Sequence, residues 1–223
     1  MVMVAGVDWP ARVPDSLDRV DIEVRNCQLC RLCETRTNGV PGEGDAHAEI
    51  MFIGEGPGFH EDQQGRPFVG AAGDLLVEML RVIGLRREEV FITNVVRCRP
   101  PGNRDPLPDE LDACHAYSER QITLLQPKLL VTLGRFSMAR FFGTGPMRDL
   151  HGRVRDWQGI TVLAMYHPAA ILRTPTPEMR RIYEDDFRKI PLLLAEANKK
   201  RAATEAVAAS AQPVTPLDQL PLF

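Results

Sequence analysis

No apolar run in this chain comes near the roughly twenty residues a helix needs to cross a bilayer; the longest are only strand-length. No apolar leader is evident either. With five cysteines, an odd number, a secreted disulfide framework is not expected. No internal repeat recurs. Basic residues are not in excess: 27 Lys and Arg stand against 30 Asp and Glu, for a net charge of −3. That balance excludes a protein that simply coats nucleic acid, and any DNA site must be a local basic patch. The acids Asp15, Asp18, Asp21 and Glu23 crowd the N-terminal region, whereas Arg97, Arg99, Arg104, Arg148, Arg153, Arg155 and Arg173 fall in or near the motifs described below.

What is present suffices for one core. At 223 residues and 44% hydrophobic content the simplest reading is a single folded domain, expected to act as a monomer. Four short apolar runs bounded by turn residues read as buried parallel strands: Glu49–Ile53, Val90–Val96, Leu129–Leu133 and Thr161–Met165. Helical periodicity fills the intervals at Ala71–Ile83, Asp109–Leu125, Arg135–Phe142 and Glu178–Glu196. Alternating strand and helix predicts an α/β fold, a three-layer α/β/α sandwich with a central four-stranded parallel sheet. Ligands of such sheets bind beyond the carboxyl ends of the strands. Gly54-Glu55-Gly56 follows the first strand, Asn94 ends the second and His167 follows the fourth, so three polar segments are predicted to converge at one edge.

Four cysteines form two separated pairs. Cys27 and Cys30 make a Cys-x-x-Cys turn, and Cys98 and Cys114 lie mid-chain with fifteen residues between them. Two thiolates from each pair can close a tetrahedral shell for zinc or a cubane iron–sulfur cluster, and spacing alone leaves the choice open. Cys33 extends the first pair to C-x2-C-x2-C; a buried, non-ligating role is preferred for it, although a swap of ligand is compatible with the spacing.

Three stretches carry a more specific signal. Gly54-Glu55-Gly56-Pro57-Gly58 is a turn in which glycine lets backbone approach a ligand; it lacks the Gly-Lys-Ser/Thr ending of a phosphate loop. It is followed by Gly65-Arg66-Pro67-Phe68-Val69-Gly70. The others are Thr93-Asn94-Val95-Val96-Arg97-Cys98-Arg99-Pro100-Pro101 and Met165-Tyr166-His167-Pro168-Ala169. The amide of Asn94 can donate and accept a hydrogen bond at once, and a buried amide at a strand end needs such partners.

Together these stretches resemble the iron–sulfur uracil-DNA glycosylases, family 4 of the uracil-DNA glycosylase superfamily. The resemblance spans roughly Cys27 to Ala195 and implies a [4Fe-4S] cluster on Cys27, Cys30, Cys98 and Cys114. It implies a uracil pocket lined by the backbone of Gly54 and Gly56, with Phe68 stacked on the base, Asn94 reading its edge and Glu61 crowding C5 to exclude thymine. His167 would donate to the uracil O2 as the base leaves, and Glu55 would stabilise the sugar or orient water. Within Ala169–Pro175, Ile171, Leu172 and Arg173 match the family's minor-groove wedge, which fills the gap left by an extruded nucleotide. Uracil-containing DNA, single- or double-stranded and including uracil opposite guanine, is the implied substrate.

A related branch binds uracil-DNA covalently through a histidine on an inserted basic loop. The matching stretch here, Pro100–Pro106, has neither histidine nor insertion, so turnover is expected. The rival readings are a non-catalytic iron–sulfur DNA-binding protein and a zinc-stabilised nucleotide-binding domain. The sequence divides into an N-terminal segment 1–26, a catalytic domain 27–196 and a disordered tail 197–223 rich in Ala, Thr, Gln and Pro. The tail's Gln219, Leu220, Leu222 and Phe223 resemble the peptide that grips the bacterial sliding clamp. That likeness favours a bacterial cytoplasmic setting at the nucleoid.

Overall fold

The computed structural model describes residues 14–210, with side chains to residue 206; the clamp-like segment 219–223 lies outside the described residues. Four strands, β2 (Ile50–Gly54), β3 (Phe91–Asn94), β4 (Leu129–Leu133) and β6 (Ile160–Met165), pair in parallel in the order β3-β2-β4-β6. These are the four runs read from the sequence. The sheet nevertheless has six strands, not four. β1 (Glu43–Gly44) and β5 (Val154–Trp157) add antiparallel edges to β3 and β6. Neither edge shows in an apolar pattern. β1 is two residues long, and β5 is a polar strand whose first three residues face solvent. β5 joins β6 through Gln158 and Gly159, both at positive φ, a tight hairpin turn.

Alternate residues of the central strands face opposite layers, as the pleat requires. Phe52, Ile92, Val131 and Leu163 point into one core with Leu76, Met79 and Leu80 of α3 (Ala71–Val82) and with Tyr183, Phe187 and Ile190 of α8 (Pro177–Ser210). Met51, Ile53, Phe91, Leu130 and Val162 point into the other, against Ile122 and Leu125 of α4 (Pro108–Leu125) and Phe141 of α5 (Arg135–Phe142). The three-layer sandwich follows from that partition. The chain steps from β2 outward to β3 and then back across β2 to β4, so strand order reverses beside the carboxyl end of β2. A crevice opens at such a reversal.

Two boundaries differ from the sequence reading. The N-terminal segment belongs to the fold from α1 (Leu17–Arg25) onward: Val20 and Val24 are fully buried beside Tyr117, and Arg120 pairs with Asp15 and Glu23. At the other end, α8 does not stop near residue 197 but runs to Ser210. The segment beyond Glu196 to Ser210 is rich in Ala and includes Lys199, Lys200, Arg201 and Glu205, strong helix formers whatever their lack of an apolar stripe. Contacts of Lys200 with Asp156 and of Arg201 with the Gln126 carbonyl tie its first turns to the domain.

Candidate active site

Gly54 closes β2 where three elements meet. A side chain there would lie 2.4 Å from Asn94 Oδ1 and 2.5 Å from Phe68 Cζ, so the absence of a Cβ is what lets those two groups approach. Asn94 ends β3 with only 1% of its surface exposed, and its Oδ1 is buried without a hydrogen-bond partner. A carbonyl oxygen in that state is costly unless something else supplies the donor.

Phe68 holds a left-handed backbone, φ 51°, uncommon for an aromatic residue. The strain is stabilised from both sides. Arg87, anchored on Glu43, donates to the Phe68 carbonyl at 2.8 Å and also to that of Pro67. Gly73 packs so closely that a Cβ would lie 1.9 Å from the Phe68 oxygen.

His167 follows β6 and caps α7 (Pro168–Arg173). Its Nδ1 accepts the Ala169 N–H at 3.2 Å. Burial, with Arg173 adding to it, lowers its pKa to about 4, against an opposing pull from Glu61. The ring is therefore neutral at pH 7, with Nδ1 an acceptor and the proton on Nε2. Gly134, at the end of β4, leaves room for it: a Cβ there would meet the His167 Cβ at 3.1 Å.

Glu55, half-buried, has its pKa raised first by burial and then by Asp105, while Arg135 and Arg173 oppose. Glu61, at the start of α2 (Phe59–Gln64), binds three backbone amides. Oε1 accepts from Val69 and Gly70, each at 2.9 Å, and Oε2 from Gly58 at 3.1 Å. It thus staples the glycine turn to the Phe68 turn, which sequence reading did not foresee.

Glu55, Gly56, Glu61, Phe68, Asn94, His167 and Arg173 line one cleft of about 280 Å³, with Gly54 beneath it. Two wider grooves of about 410 Å³ lie along the far turns of α8 around Lys128 and Arg201, by the amino ends of the strands and away from their carboxyl ends. The wedge reading needs correction: Ile171 is buried at 3% exposure in the α3–α8 core, and only Leu172 (45%) and Arg173 face outward. With one side of α7 packed on α3 and α8, Ile171 falls on the buried side and the next two residues turn away from it. Arg97 likewise does not belong to a DNA-facing patch, being fully buried. Sequence reading missed Phe59, which is half-exposed next to the cleft-lining Gly58, under the Arg99 guanidinium at 5.2 Å. An aromatic placed directly after the glycine turn was the available signal.

The cysteines gather behind the cleft. Cys98 and Cys114 are buried, Cys27, Cys30 and Cys33 half-buried, and all are free thiols. N–H groups are directed at four of the sulfurs. Cys27 accepts from the Leu29 N–H at 3.5 Å and Cys98 from Arg36 Nη1 at 2.9 Å, while the Leu32 and Arg97 backbone N–H groups favour the thiolate forms of Cys30 and Cys114 against the effect of burial. Among the described residues Cys33 has no such donor. Burial pushes the Cys98 thiol up to about 12 despite Arg36, so that sulfur ionises only beside a strong cation. Among the described residues, no three His, Cys, Asp or Glu side chains close on a single ion-sized centre.

Comparison with known proteins agrees with this architecture. Residues 41–188 match the family described as the uracil DNA glycosylase superfamily. The chain is 50% identical over 186 residues to a type-4 uracil-DNA glycosylase of Sulfurisphaera tokodaii, covering 79% of this chain and 84% of that protein. Type-4 uracil-DNA glycosylases of Archaeoglobus fulgidus and Thermotoga maritima are 48% and 44% identical over 79% and 78% of the chain, and 92% of each relative is covered. With the strand-end cleft, the neutral histidine and the buried amide all inside the matched span, the chain belongs to the type-4 uracil-DNA glycosylases of the uracil DNA glycosylase superfamily.

Proposed function

We infer that this chain is a DNA repair enzyme that hydrolyses the N-glycosidic bond of deoxyuridine in DNA, releasing uracil and leaving an abasic site. The observation that carries the reading is the unpartnered, buried Oδ1 of Asn94 at a cleft wall. Uracil offers an N3–H to that oxygen and an O4 to the amide nitrogen; cytosine offers neither in that order. Phe68 supplies the stacking face that an extruded base needs. His167, neutral and carrying its proton on Nε2, donates to the base O2 as negative charge grows there, without a proton having to be acquired first. Glu55, which lines the cleft, stabilises the oxocarbenium-like sugar or orients the attacking water when ionised. Glu61 keeps the two turns in register, and any role against thymine is secondary to that. Leu172, Arg173 and Phe59 are the rim groups placed to meet the flanking strand. The test is a uracil-containing oligonucleotide, single-stranded or with uracil opposite guanine, followed by alkaline cleavage. Free uracil and an alkali-labile, un-nicked strand are expected, and binding without release would overturn the reading.

Cys27, Cys30, Cys98 and Cys114 are proposed to hold a [4Fe-4S] cluster. Support comes from the donors aimed at these four sulfurs and from their burial; a cubane needs a wider thiolate shell than zinc does. Such a cluster fastens the segment after α1 to the loop after β3 and the middle of α4. It acts as a clamp on the fold.

The segment Gln219, Leu220, Leu222 and Phe223 is proposed to grip a bacterial sliding clamp, in a cytoplasmic, nucleoid setting. Removing residues 219–223 should abolish capture by the clamp while leaving excision on short oligonucleotides intact; equal capture would reject this.

A further inference from the structure

Arg97 heads the largest side chains withdrawn completely from solvent, and no carboxylate meets it among the described residues. Its Nη2 donates to Ser118 Oγ at 3.1 Å and to Gln121 Oε1 at 2.7 Å. Its Nε and Nη1 are buried with no acceptor. A buried guanidinium with unused donors and no counter-charge is among the least stable arrangements a core can hold, and apolar replacements usually do better. Burial lowers its pKa to about 10. The groups that favour its charge are the sulfurs of Cys114 and Cys98 and the Tyr117 oxygen, against the repulsion of Arg140. Its backbone N–H favours the thiolate of Cys114. Cys98 follows it directly in the chain, and Arg36 donates to Cys98 while bound to the Val24, Arg25 and Cys27 carbonyls.

We propose that Arg97 is the counter-ion of the cluster on Cys27, Cys30, Cys98 and Cys114, its two unused N–H groups serving the cluster's sulfurs. The side chain is there for the cofactor and not for the fold. This rests on the cluster reading above. Four thiolates outweigh the positive charge of an iron–sulfur core, so the bound group is an anion in a site with no other fully buried cation among the described residues. A cation and N–H donors beside such an anion stabilise its electron-richer state and raise its potential.

The test compares the full-length holoprotein with Arg97→Met and Arg97→Lys, all purified without oxygen. Readouts are iron per chain, the reduction potential and the rate of iron loss to a chelator. Arg97→Met should shift the potential downward and release iron about tenfold faster or more, the usual cost of losing an outer-shell partner. Arg97→Lys, which keeps the charge, should stay near the parent in both. A fully loaded Arg97→Met with parental potential and iron retention overturns the proposal alone. An iron-free parent brings down the cluster reading and this proposal with it. Should Arg97→Met fail to accumulate, Arg97→Lys decides: parental potential supports the assignment, and iron loss as complete as in Cys98→Ser overturns it.

Discussion

The imidazole of His167 lies against the ring of Phe68, with centroids 5.6 Å apart and planes 29° from parallel. The group proposed to stack the base and the group proposed to stabilise its departing charge therefore face the same cleft from two distant segments. Replacing His167 by Ala should slow single-turnover uracil release about a hundredfold or more while DNA affinity changes little, because the lost donor acts on charge that develops only at departure. Nearly normal single-turnover rates in the variant would remove His167 from the chemistry.

Acid dependence separates two titratable groups of the cleft, His167 and Glu55. His167, with a pKa of about 4, stays neutral through the range where an ordinary histidine charges, so the rate should show no fall near pH 6.5 on its account. Glu55 has a raised pKa and must be ionised to act, so the rate should fall as pH drops through that raised value. Glu55→Gln should be slower but flat across the same window. His167 also bears on stability, since its folded pKa lies below its unfolded one. Its contribution is complete above about 6.5 and is lost as pH falls toward about 4, because only the unfolded chain takes up the proton there. Acid titrations of rate and of melting temperature, parent against each variant, check both signs.

Asn94→Ala should abolish measurable excision. Asn94→Asp keeps the shape and removes the amide donor, so it should release uracil poorly and narrow the preference for uracil over cytosine. The ratio of excision rates on matched uracil and cytosine oligonucleotides is the measurement, and an unchanged ratio would mean that another group reads the base edge.

Neighbouring residues on α7 should behave oppositely. Ile171→Ala opens a hole in the α3–α8 core and should lower stability by about 2–5 kcal/mol. Leu172→Ala should leave the denaturant midpoint nearly unchanged but reduce excision from duplex DNA more than from single strands, since only the duplex has a stack to be filled. Equal losses on both substrates would place the wedge elsewhere.

Iron content should distinguish the five cysteines. Cys98→Ser should lose iron and destabilise the protein, whereas Cys33→Ser, whose sulfur has no donor among the described residues, should keep it. Full iron in Cys98→Ser would reject the assigned ligand set.

Much of this was legible in the chain. Leu129–Leu133 and Arg135–Phe142 were bounded to the residue, because a buried parallel strand is a continuous apolar run and the glycines at 134 and 143 bracket the helix. The strand-end rule then brought Gly54, Asn94 and His167 together before any coordinates. What failed to show was local or reciprocal. A two-residue edge strand has no period, and a six-residue helix such as α7 is too short to reveal which of Ile171 and Leu172 is inside. Arg97 looked like surface charge because no one-dimensional pattern marks a cation turned into the core. Glu61 is similar: its three partners are backbone amides, which every residue possesses and no motif announces.

The helical continuation of α8 alters how anything beyond it can explore space. From Ala197 to Ser210 an α-helix advances about 20 Å. This helical arm thus ends at Ser210, about that distance beyond the packed Ala197. A peptide at the far end of a rod samples a shell, where one on a string would sample a sphere. For a partner grasped there, the local concentration of the catalytic domain depends on the direction of the rod as well as on the number of residues that follow it. Breaking the anchorage of Arg201 on the Gln126 carbonyl would change that direction without touching the cleft.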